Sequence, residues 1–112
     1  MDILSRMEEL ILLSVWKLQD EAYGLEIRMH LSEVLDRDLS VGAVYVPLKR
    51  LKKRGYLESW DSEPTEERGG RSKRFFKLTQ KGVHALQKVR TVQESLWSNL
   101  PDIGFGWVPS KN

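Results

Sequence analysis

Two short runs late in the chain, YLESWD at residues 56–61 and RFFKLT at residues 74–79, are rich in aromatic residues and flank a polar stretch with Pro64, Gly69 and Gly70. Together they predict a β-hairpin with a long tip. The remaining periodic stretches read as helix, so the fold class expected is mainly α with one small hairpin.

Leu4, Met7, Ile11, Val15 and Leu18 recur at spacings of three and four, the stripe of an amphipathic helix from about Ile3 to Leu18. After a turn at DEAYG, where Gly24 loosens the backbone, Ile27, Leu31, Val34 and Leu35 share one face of a second helix. Ser40 is placed to cap a third helix, Val41 to about Arg54, which Gly55 stops. Beyond the hairpin, Thr79 can cap a last helix whose apolar positions Val83, Leu86, Val89, Val92 and Leu96 continue until Pro101. Residues 101–112 carry two glycines and two prolines and read as an irregular tail.

A chain of 112 residues has room for one small core. Its 40% hydrophobic and 30% charged content is that of a soluble globular domain. Without cysteine it has neither disulfides nor thiolate metal sites, and a cytoplasmic location is expected. The longest apolar run, Leu10–Leu13, is too short to span a bilayer, so no membrane partner is expected. Net charge is only +2, yet it is unevenly placed. Residues 1–48 hold four Lys/Arg against nine Asp/Glu, whereas residues 49–81 hold eleven against five. A polyanion would meet that middle third first.

Catalysis lacks its parts. His30 and His84 each stand without a second ligand or carboxylate at helical spacing, and Glu66 and Glu67 are neighbours on a loop with no partner base. The Gly69-Gly70 pair lacks the Lys-Ser/Thr ending of a nucleotide-binding loop. No catalytic residue, metal or cofactor is therefore expected.

Three helices, a strand, a polar tip and a second strand are the order of a winged helix-turn-helix, in which the third helix enters the major groove of DNA. Residues 1–78 would form that domain, residues 79–100 a C-terminal dimerisation helix, and residues 101–112 the tail. At 100° per residue, Val41, Val44, Tyr45, Leu48 and Leu51 of the third helix face one side, and Gly42, Ala43, Val46, Lys49, Arg50, Lys53 and Arg54 the other. Small residues come first and cations last. Such a helix end can approach base edges while the cations meet flanking phosphates.

In this order and spacing the segments AYGLEIRMHLSEVL, SVGAVYVPLKRLKKRGYLESW and GGRSKRFFKLTQKG resemble the PadR family of transcriptional regulators. The similarity runs over roughly residues 8–98, and the Gly-Gly-Arg to Leu-Thr-x-x-Gly portion is its most distinctive part. It implies a dimeric repressor of PadR type. Ser40, Ala43, Tyr45, Lys49 and Arg50 would lie at or near a pseudo-palindromic double-stranded operator, with Lys53 on the same cationic face. Arg71 and Lys73 of the wing would reach the backbone or minor groove. One departure stands out: the family's Pro directly follows the helix-three Tyr, whereas here Val46 intervenes and Pro47 removes a hydrogen bond inside the helix. Tyr45 is open between a core place with its hydroxyl at the rim and a DNA contact.

The resemblance also makes the last helix a homodimer element paired with helix one, with Leu4, Ile11, Leu86, Val89, Val92, Leu96 and Trp97 as interface residues. A long apolar stripe with no partner left in so small a domain agrees. Some relatives use a tryptophan on this helix to sandwich a small apolar or aromatic effector. Trp97 is thus an effector candidate, though Leu96 and Leu100 beside it favour a packing anchor. The rival readings are a winged-helix adaptor that binds protein without specific DNA recognition, and, more weakly, an RNA-binding module.

Overall fold

The computed structural model describes residues 3–63 and 72–102. Its elements are α1 (Arg6–Leu18), a short 3-10 turn (Gln19–Glu21), α2 (Gly24–Leu35), α3 (Val41–Lys53), β1 (Leu57–Asp61), β2 (Arg74–Leu78) and α4 (Gln80–Trp97). The expected mainly helical chain with one hairpin is what forms.

Local signals set the helix starts. The Ser5 hydroxyl accepts the Glu8 N–H at 3.1 Å and the Glu8 carboxylate accepts the Ser5 N–H at 2.8 Å, a reciprocal cap on α1. Ser40 caps α3 through the Ala43 N–H at 3.1 Å, and Thr79 caps α4 through the Gly82 N–H at 3.1 Å. Gly55 ends the α3 region with φ +84°, a backbone that suits glycine. Pro47 lies inside α3, buried, and the helix continues through it to Lys53.

Ile11, Leu12 and Val15 of α1, Ile27 and Leu31 of α2, and Val44, Leu48 and Leu51 of α3 meet at the centre, each 2% exposed or less. Tyr56, Leu57, Phe76 and Leu86 close the core from the hairpin and α4. Two residues assigned to core faces lie outside it: Val34 is 60% exposed and Val41 55%. Both stand at helix ends, where the apolar stripe outruns the surface it packs on.

β1 and β2 pair antiparallel, from Leu57 opposite Leu78 to Asp61 opposite Arg74. The Phe76 N–H also donates to the Ala22 carbonyl at 2.8 Å, so the α1–α2 turn lies beside β2 and fixes the hairpin to the helices. Phe76 turns inward as alternation requires. Phe75, expected to face outward, is half-buried, edge-on to Tyr23 with centroids 5.4 Å apart and stacked on Trp60 at 5.9 Å. That second face is covered by aromatic rings, which alternation alone does not reveal. The tip at Gly69 and Gly70, and the tail from residue 103, lie outside the described residues.

Candidate nucleic-acid interface

The outer face of α3 is ordered as its sequence implies. Gly42 is exposed with no heavy atom within 4 Å of where a Cβ would stand, and Ala43 is half-buried beside it. Val46 is 58% exposed one turn later, and Lys49 and Lys53 follow, both exposed. Small and apolar groups thus occupy the N-terminal half, and Lys and Arg gather in the last turns, where the helix dipole favours cations.

Three residues assigned to DNA have partners within the protein. Tyr45 packs against Gly24 at the start of α2, so close that a Cβ there would overlap its Oη and Cζ. It occupies the core rim and not the exposed face. Lys73 sets its ammonium over the Tyr23 ring, 4.0 Å from the centroid, a cation–π contact. Arg50 donates from Nε to a Glu8 carboxylate oxygen at 3.2 Å, and Arg54 donates from Nη1 to the same oxygen at 2.9 Å. Ser40 is exposed with its oxygen engaged in the α3 cap, and Arg71 lies outside the described residues.

Glu8 was missed by sequence reasoning, although a signal was present. It ends the Ser-x-x-Glu pattern of a capped helix and falls on the apolar stripe between Leu4 and Leu12. Burial by itself raises the Glu8 pKa. The Ser5 backbone N–H, the Arg50 guanidinium, the Ser5 hydroxyl and the charge of Arg54 outweigh that effect and hold it below the ordinary 4.5.

α4 leaves the body along its length. Its first turn is held by Gly82, where a Cβ would overlap the Tyr56 carbonyl oxygen, and by the Thr79 hydroxyl donating to the Gly55 carbonyl at 2.6 Å. Further on, the Gln93 amide donates to the Glu9 carboxylate at 3.1 Å. Between α4 and the start of α1 runs a groove of about 410 Å³ lined by Ile3, Leu4, Val89 and Val92 among others. Val92, Leu96 and Trp97 are 46%, 70% and 59% exposed. The expected interface set therefore divides. Ile11 and Leu86 are 0% and 5% exposed within the protomer, because they point along α1 and α4 into its own core and have no surface left for a partner. Leu4 is also mostly buried, at 7%, while Val89 is half-buried.

Residues 11–88 match the model of the transcriptional regulator PadR-like family. The chain belongs to the PadR-like family. Among solved structures it resembles a PadR-like transcription factor from Bacteroides fragilis, 30% identical with a TM-score of 0.67, over 80% of this chain and 81% of that one. RosR of H. salinarum is 25% identical with a TM-score of 0.64, over 88% and 82% of the two chains. A PadR-family transcriptional regulator from Eggerthella lenta, 22% identical at a TM-score of 0.63 over 78% and 73%, shares the fold. No curated protein sequence matches this one. The chain is thus a DNA-binding transcriptional regulator of PadR type. Among its described residues no helix is long and apolar enough to cross a membrane.

Proposed function

We propose that this PadR-like chain acts as a cytoplasmic homodimeric repressor, with α3 in the major groove of a pseudo-palindromic operator and the hairpin along the backbone. The observation that carries the reading is the exposed face of α3. Gly42 and Ala43 leave its N-terminal end narrow, and Lys49 and Lys53 stand one and more turns later, where flanking phosphates would be. Exposed Val92, Leu96 and Trp97 supply the apolar surface for a second copy, with Trp97 as a packing anchor. A two-fold dimer would set two α3 ends about 34 Å apart, one turn of DNA. Occupancy of such a site overlapping a promoter represses by occlusion.

The test is selection of bound fragments from genomic DNA by the purified protein, followed by a promoter reporter on the best site. An inverted repeat with half-site centres about one helical turn apart, and lower reporter output when the protein is present, is the expected result. Recovery of no shared motif would sink the reading. Reversing charge at Lys49 and Lys53 then separates it from an adaptor role: regulation is lost under the first and survives under the second. Arg50 is left out of that variant because a carboxylate there would face Glu8.

A further inference from the structure

Glu8 is the one buried charged side chain among the described residues, 4% exposed, and it divides its two oxygens between two helices. Oε1 accepts the Ser5 N–H of its own helix cap. Oε2 accepts from Arg50 and Arg54, at the far end of α3. Replacing a buried ion pair with apolar groups is often neutral or stabilising, so stability alone is a weak reason for such a cluster. Fixed geometry is a better one.

Arg50 is the informative partner. It lies on the outer face of α3 with Lys49 and Lys53, and its side chain stays 51% exposed although its Nε is turned inward onto Glu8. That contact leaves the Nη end as the part of the guanidinium available to an outside acceptor. An arginine reads guanine through two parallel donors, and a side chain already held in one orientation loses less conformational freedom on binding. A lysine, or an arginine with no inward partner, would act as a mobile charge drawn to any phosphate.

We infer that Glu8 is a positioning residue for operator recognition: it anchors Arg50 through Nε so that the Nη end is presented, pre-oriented, to a base edge in the groove. The inference rests on the DNA-reading role of α3 proposed above. It separates the cations of the face into two kinds, with Arg50 as a specificity residue held from behind and Lys49 and Lys53 as untethered phosphate contacts.

The experiment measures the affinity of the full chain for its selected site and for a scrambled duplex of equal length, across a salt series, in wild type, Glu8→Gln, Arg50→Ala and the double variant. Wild type discriminates between the two duplexes. In Glu8→Gln the ratio should fall at least about fivefold. Affinity for scrambled DNA should hold or rise, with a salt slope steeper by about one, because the released arginine keeps its charge. Arg50→Ala should lose the same discrimination, and adding Glu8→Gln to it should change the ratio no further. An unchanged ratio in Glu8→Gln, an equal fall on both duplexes, or additive losses in the double variant would each overturn the role. If Glu8→Gln does not fold, as judged by circular dichroism, Arg50→Lys decides. Loss of discrimination at an unchanged salt slope supports the role, because lysine has no second donor group to present, and retained discrimination overturns it. A wild type that binds no DNA overturns the repressor reading itself, whereas a discriminating wild type matched by Glu8→Gln overturns this inference alone.

Discussion

The Tyr45 ring stands over the Cα of Gly24, and no side chain larger than hydrogen fits between them. The contact joins the start of α2 to the first half of α3, the two helices whose relative angle sets how α3 is presented. It also accounts for both partners together: the glycine that follows Tyr23 is there for the aromatic ring, and the tyrosine is turned away from the exposed face to fill the space the glycine leaves.

Gly24→Ala should therefore lower stability by about 1–3 kcal/mol through overpacking, although alanine in a helix is otherwise favoured by up to about 1 kcal/mol. Urea denaturation of the single variants and the pair checks this. In a Tyr45→Ala background the same Gly24→Ala change should become neutral or stabilising, and an equal cost in both backgrounds would refute the contact.

Gly82 and Gly42 should respond with opposite signs. A Cβ at Gly82 meets the Tyr56 carbonyl oxygen, which is backbone and cannot rotate aside, so Gly82→Ala should cost about 1–3 kcal/mol or more. Gly42 faces open space on α3, and Gly42→Ala should raise thermal stability, by up to about 1 kcal/mol, while weakening DNA binding by widening the helix end. Paired melting and binding measurements on the two variants would show whether stability and binding part in this way.

Features encoded by near neighbours were legible in the sequence. Ser40 and Thr79 cap the helices they precede, the two aromatic runs pair, and Gly82 admits the close approach expected of it. What was not legible depends on residues far apart in the chain. Glu8 meets Arg50 and Arg54 across 42 and 46 positions, and no helical period reports such a pair. Lys73 could be read as a wing cation but not as the cap of the Tyr23 ring. Ile11 and Leu86 sat on apolar stripes that serve the protomer core and a surface at once, and periodicity does not say which turn belongs to which.

Acid should weaken the fold partly through Glu8. Its pKa is lower in the folded protein than the ordinary 4.5, so its stabilisation is present above that value and is lost as pH falls through it toward the folded pKa. Stability measured by urea midpoint should therefore drop more steeply below about pH 5 in wild type than in Glu8→Gln, and the two curves should converge in acid. Parallel curves would mean the carboxylate contributes nothing through its charge.

Lys49→Ala and Lys53→Ala should each weaken binding to selected and scrambled DNA alike. Both side chains are exposed on α3 and act as phosphate contacts in the proposed complex. Each loss should reduce the magnitude of the salt slope by about one, from about 5 to 10 for a dimer, with the discrimination ratio unchanged. A salt-independent wild-type affinity would remove the phosphate-contact mechanism.

The end of α4 permits a test of assembly that leaves the protomer intact. Val92 and Leu96 are exposed in the single chain, so Val92→Glu with Leu96→Glu removes no core contact and should keep the circular dichroism spectrum of the described helices. On the proposed interface the two charges would face apolar surface of the second copy, and burying them unpaired is strongly unfavourable. The variant should sediment as a monomer where wild type sediments as a dimer. Because two linked half-site readers gain about a hundredfold or more over one, operator affinity should fall by at least that factor while binding to a single half-site stays near wild type. Leu86→Glu is the contrasting control: its side chain belongs to the protomer core, so it should unfold the chain and not merely separate the subunits. A Val92→Glu/Leu96→Glu protein that remains dimeric would place the subunit contact elsewhere on the molecule.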